Sequence, residues 1–176
     1  MSPRDLRYPI GQFDLKQQAT PEKIKHWIWV IEQTPGELRK AVNGLDNTQL
    51  DTRYRPDGWT VRQVVHHLPD SHMNSYIRFK LAITEAVPTI RPYHEDRWAE
   101  LTEARIGTTD ASLDLLDALH RRWALFLKSL GPDDFARNFR HPELGELNVG
   151  LNVGLYAWHG QHHVAHITTL REREEW

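Results

Sequence analysis

The chain contains no cysteine. Disulfides are therefore excluded, and so is any thiolate ligand, so a metal site here must be built from histidine and oxygen donors. No apolar run approaches the ~20 residues that cross a bilayer, and Met1-Ser2-Pro3-Arg4-Asp5-Leu6 lacks the apolar core of a signal peptide. The cytoplasm is the expected compartment, without membrane attachment. Neither charge sign dominates: 22 Lys+Arg face 24 Asp+Glu, a net −2. No basic block occurs, so the electrostatic footprint of a nucleic-acid binder is missing. Repeats, low-complexity tracts and composition shifts are also absent. One domain spanning residues 1–176 is the expectation, with 39% hydrophobic residues to build its core.

What the chain has instead is histidine. Four of its eleven histidines fall in Trp158-His159-Gly160-Gln161-His162-His163-Val164-Ala165-His166. His159 and His163 stand four apart, as do His162 and His166. On a helix such residues lie one above the other, the spacing at which two imidazoles can share one ion. Gly160 occupies the position that carries the general-base Glu in H-E-x-x-H, so zincin-type chemistry is not indicated. Buried, hydrogen-bonded histidines would give the same pattern.

Four long helices are expected. The first opens at Thr20-Pro21, an N-cap followed by proline. It carries Ile24, Trp27, Ile28, Ile31, Leu38 and Val42 at helical spacing and stops at Gly44, with Pro35 inside as a kink. Residues 45–58 are turn-rich. The second helix opens on the capping box of Thr60 and Gln63. At roughly 100° per residue, His67, Ser71, Asn74 and Arg78 line one flank of its apolar stripe. His66 falls on the solvent side, and Pro69 should bend the helix beside His67. The long connection 87–109, with a short helical piece near 95–103, has the length of a functional lid. A third helix runs from near Asp110 to Gly131-Pro132, residues 133–147 look irregular, and a fourth helix runs from near Asn148 to about Arg173. Residues 1–19 read as an extended arm lying on the body. The fold class is all-α, a four-helix bundle with long irregular connections.

Bundles build metal sites from facing helices, and His67 can face a histidine pair on the fourth helix. Three histidines leave a coordination position open, as in catalytic zinc sites. An ion held this way lowers the pKa of a bound water to about 7, or takes up a thiol as thiolate. All four clustered histidines lie in or beside the stripe, so periodicity leaves the choice of pair open.

Trp59-Thr60-Val61-Arg62-Gln63-Val64-Val65-His66-His67-Leu68-Pro69-Asp70-Ser71-His72-Met73-Asn74-Ser75-Tyr76-Ile77-Arg78-Phe79-Lys80 resembles the signature of the YfiT-like branch of the DinB superfamily. So do Tyr8-Pro9-Ile10-Gly11, Ile90-Arg91-Pro92-Tyr93 and Leu155-Tyr156-Ala157-Trp158-His159-Gly160-Gln161-His162-His163-Val164-Ala165-His166-Ile167. The resemblance covers nearly the whole chain. It implies a four-helix bundle holding one divalent metal per subunit on His67, His159 and His163, with zinc first and nickel or another ion open. It also implies a homodimer and a metal-dependent hydrolase acting on a small molecule. Relatives elsewhere in the superfamily use low-molecular-weight thiols, so S-transfer is the alternative, and a non-catalytic metal-binding bundle is a second. Pro69 departs from the pattern, where a small helix former is expected. Asp70, Asn74 and Arg78 are the candidate catalytic or substrate contacts. Neither Gly160 nor Asp70, on the outer side of the His67 line, offers a convincing general base.

Overall fold

The computed structural model describes residues 5–176. Its long helices are α1 (Pro21–Val42), α3 (Val61–Thr84), α6 (Asp110–Lys128) and α8 (Val149–Glu174), with short helices α2 (Asn47–Leu50), α4 (Glu95–Trp98), α5 (Thr102–Ile106) and α7 (Pro132–Phe135) in the connections. The caps are those expected from local sequence. Thr20 accepts from the Lys23 amide, Thr60 and Gln63 close a reciprocal capping box, and the Asn148 side chain accepts from the Leu151 amide. Gly44, at φ +80°, turns the chain out of α1. Both α1 and α3 continue through their internal prolines, Pro35 and Pro69.

Residues 133–147 are more ordered than their sequence suggests. After α7 they form a hairpin of β1 (Asn138–His141) and β2 (Gly145–Asn148), paired antiparallel with Phe139 opposite Leu147. Both of those side chains are buried. Strands of four residues are too short to display a period of two, and only the tertiary apolar contact identifies them.

α1 packs against α6 and α8, and α3 packs against the same two helices, so α1 and α3 are diagonal partners. The core falls into two clusters that reveal helix direction. One joins the first halves of α1 (Ile24, Ile28, Ile31) and α8 (Val149, Val153) to the second halves of α3 (Phe79, Ala82) and α6 (Trp123, Leu127). The other joins Leu38 and Val42 of α1 and Ile167 and Leu170 of α8 to Val61, Val64 and Leu68 of α3 and Leu113 and Leu116 of α6. Hence α1 and α8 run parallel, antiparallel to α3 and α6. Parallel neighbours cannot be joined by a tight turn. The segment from 85 to 109 makes the return from the end of α3 to the start of α6, which accounts for its length.

Between the two apolar clusters lies a layer of buried histidines. The arm over α8 is held by a hydrogen bond from Trp158 Nε1 to the Gly11 carbonyl (3.1 Å) and by ring contacts of Phe13 with Trp27 and Trp158. Among the described residues no helix is long and apolar enough to cross a membrane.

Candidate metal centre

His67 on α3 and His159 and His163 on α8 each bring one ring nitrogen to a common point, all within 4.8 Å of one another. The helical step of α8 sets His159 over His163, and the α3–α8 contact carries His67 between them. The His67 Nε2 to His159 Nε2 distance is 3.4 Å. Two nitrogens bonded to one tetrahedral ion at about 2.05 Å each stand about 3.3 Å apart, so this pair already has the separation an ion requires. Burial drives all three pKa values down, His67 to about 3. The rings are therefore neutral near pH 7, the state in which imidazole ligates.

The triad forms the floor of a cavity of about 730 Å³. Its walls come largely from outside the four long helices: Tyr54 and Asp57 after α2, Tyr93, Glu95 and Asp96 from the α3–α6 connection, and His141 and Glu143 from the hairpin. Apart from Tyr93, which falls in the family-like Ile90-Arg91-Pro92-Tyr93, nothing local in the sequence marks these residues.

The flank of α3 is only partly as its periodicity suggests. His67, Ser71 and Arg78 line the cavity. Asn74 does not, and its side chain bonds back to the Asp70 carbonyl at 2.8 Å. Asp70 also lies off the cavity wall. It is half-buried, and burial together with the nearby Glu103 raises its pKa to about 6. His66 corrects an expectation. It is 8% exposed, not solvent-facing, because the α5–α6 connection covers that side of α3. Its Nδ1 lies 2.7 Å from Ser112 Oγ and its Nε2 3.4 Å from the Gly107 carbonyl. It still points away from the triad.

Gly160 has a packing reason. A Cβ there would stand 2.7 Å from Thr34 Cγ2 and 2.9 Å from its Oγ1, so α8 approaches α1 too closely for any side chain at that position. The place of a zincin glutamate is taken by a helix contact.

Two buried arginines differ in a telling way. Arg62 meets Asp51 Oδ1 at 2.7 Å and bonds Asn47 and the Gly107 carbonyl. Arg78 is 9% exposed. Among the described residues it has no ion pair, only contacts to the Arg91 carbonyl (3.3 Å) and Tyr156 hydroxyl (3.5 Å), and its Nε has no partner. A buried charge without a counter-charge is costly, and Arg78 faces the cavity that holds the triad.

His162 and His166 also line the cavity. Their Nε2 atoms are 3.0 Å apart, His166 stacks on Tyr54 with centroids 3.9 Å apart, and His162 stacks on Trp158 at 4.5 Å. They face each other, not the convergence point of the triad.

A four-helix bundle with three convergent imidazoles under an open cavity defines a class, the helical bundles able to hold one metal ion on histidine. The sequence profile of the DinB superfamily matches residues 31–167, and the chain belongs to that superfamily. A Bacillus cereus protein named "putative metal-dependent hydrolase" is 59% identical over 172 residues, covering 98% of this chain and 99% of its own. A similarly named Bacillus mycoides protein is 58% identical over 173 residues, at 98% and 99% coverage. The solved structure of Bacillus subtilis YfiT, described as "a probable metal-dependent hydrolase with an unusual four-helix bundle topology", superimposes with a TM-score of 0.94 at 48% identity, covering 97% of this chain and 98% of that one.

Proposed function

We propose that the protein is a metal-dependent hydrolase of small molecules, with His67, His159 and His163 as the ligands of one divalent ion. The observation that carries this reading is the convergence of three neutral imidazoles on the floor of a cavity large enough for a small substrate. When bound, such an ion supplies a Lewis acid and an activated water. The chain does the rest. The triad leaves room at the cavity side for substrate, and Arg78 offers a desolvated cation to an anionic group on it, a carboxylate or phosphate. Asp57, Glu95, Asp96 and Glu143 line the walls and are the candidates to take and return a proton.

These carboxylates favour hydrolysis over thiol transfer. A hydroxide route needs an acid–base group, which neither Gly160 nor Asp70 offers, and the loops place four carboxylates on the cavity that the ligands share. In the same reading Asp70 and Asn74 act from outside the wall, through the shape of α3, while Arg78 meets substrate. Zinc suits the all-imidazole donor set, as do nickel and other divalent ions. Pairing into a homodimer is part of the proposal, supported by exposed apolar side chains such as Trp29 and Leu125. Light scattering at micromolar concentration should give twice the chain mass.

The deciding experiment is turnover by the metal-loaded protein on ester and amide panels, with and without added thiol. Cleavage at a thiol-independent rate that His159→Ala abolishes is the expected result. Turnover that requires thiol would replace hydrolysis with transfer.

A further inference from the structure

Behind the triad, on the side away from the cavity, a second set of histidines runs into the core. His159 Nδ1 lies 3.0 Å from His72 Nε2. His72 Nδ1 lies 2.8 Å from His120 Nε2. His120 Nδ1 lies 2.6 Å from the carbonyl oxygen of Ile31. His72 and His120 are 0% and 1% exposed. Their ring centroids are 4.9 Å apart and their planes 15° apart, the near-coplanar, edge-to-edge approach an N–H···N bond between imidazoles requires. Trp123 closes over both edges, at 89° to His72 and 81° to His120.

The last contact determines the direction of every other. A carbonyl oxygen only accepts, so His120 Nδ1 carries a proton. A neutral imidazole has one N–H, so His120 Nε2 is an acceptor and His72 Nδ1 must donate to it. By the same step His72 Nε2 accepts, and His159 Nδ1 donates. The lone pair of His159 is then on Nε2, the atom that faces His67 Nε2. Ile31 can serve as anchor because Pro35 stands four residues on. Proline has no N–H, so the helical donor that the Ile31 carbonyl would otherwise receive is missing, and the ring crowds that carbonyl outward. The chain ends on an amide oxygen in the core. It has no exit for a proton, so it orients and does not conduct.

We propose that His72 and His120 are positioning residues that lock His159 in its Nδ1–H tautomer, with Nε2 presented to the cation. The proposal rests on the reading of His159 as a ligand. Donation from Nδ1 into the chain also makes Nε2 a stronger donor, the usual effect of a hydrogen bond behind a metal-bound imidazole. His163 has no such support, since its Nδ1 is buried without a partner.

Long-range ¹H–¹⁵N spectra of the chelator-stripped protein test the chain without any metal. His159, His72 and His120 should all appear as single Nδ1–H tautomers at neutral pH. An Nε2–H form at any of the three would overturn the proposal. Variants then test the consequence. His72→Phe keeps the ring but removes both nitrogens, so His159 should show mixed tautomers, and zinc affinity against a competing chelator should fall about 10- to 100-fold. His72→Gln supplies both an acceptor and a donor and should recover most of that loss. A His159 that stays locked in His72→Phe, or an affinity that His72→Gln does not restore, would show that His72 only packs. Should His159→Ala retain its metal, the ligand reading fails, while the tautomer spectra still report on the chain.

Discussion

His159 has histidines on both sides, and the two sides behave differently. Toward the core, His72 and His120 form a directed chain in which every ring nitrogen is paired. Toward the cavity, His162, His163 and His166 are held by aromatic faces and one short contact, and the Nδ1 atoms of all three are buried without partners. The residue type and the helix layer are the same. What separates them is a run of close ring-to-ring contacts that ends on a buried carbonyl, that of Ile31. Histidine becomes a positioning device where one end of a chain is pinned, and stays an adaptable donor where it is not.

The largest effect that would sharpen this contrast is on metal content. Replacing His67, His159 and His163 together by Ala should take elemental analysis from about one ion per chain to none. Replacing His162 and His166 together by Gln should leave the ion in place. Metal lost from the second variant and retained by His159→Ala would move the site to the other pair.

Next comes Arg78. Losing a buried charge-assisted bond to substrate costs about 1.5–3 kcal/mol, so Arg78→Met should lower kcat/KM about 10- to 100-fold for an acidic substrate. A neutral ester of the same shape should lose little, and equal losses on both would remove the anionic contact.

A third effect is on stability. Gly160→Ala forces a methyl against Thr34 and should cost about 1–3 kcal/mol, seen as a lower Tm at unchanged metal stoichiometry.

The pH dependence follows from the histidine layer. Burial depresses His67 and His166 to about 3 and His120 and His162 to about 4. Unfolded histidine titrates near about 6.5. Between these values the unfolded chain binds more protons, so the stability of the stripped protein is full above about pH 6.5 and declines as pH falls toward 4. Asp70, raised to about 6, works in the opposite direction, losing stability as pH rises from about 4 through 6. The histidines outnumber it, so Tm should fall on acidification, and His120→Gln should flatten the slope.

The smallest effect is expected at His66. His66→Ala should leave metal content unchanged and cost about 1 kcal/mol for the lost contact with Ser112.

Much of the bundle was legible because its signals are local. The Thr60–Gln63 box, Thr20-Pro21 and Gly44 mark helix ends within four residues of themselves, and the flank of α3 carrying His67 and Arg78 follows from helical geometry. The same rule misread His66, since a helix wheel knows its own apolar stripe but not the loop that will cover its other side. His72 was legible only as one residue within the family-like run on α3, and His120 carried no signal, being a single histidine on an ordinary amphipathic helix.

By itself, then, the sequence determined the four long helices, the caps at their ends, the absence of sulfur ligands and the family pattern that points to His67, His159 and His163. Each of these depends on residues a few positions apart or on the kinds of atom available. Tertiary structure decided the rest: that α1 and α8 run parallel, that loops far apart in the chain wall one cavity, that Arg78 has no acidic partner among the described residues, and that a carbonyl freed by Pro35 meets His120, 89 residues away from Ile31. Those are encounters between distant segments, and they exist only once the apolar stripes have chosen their partners.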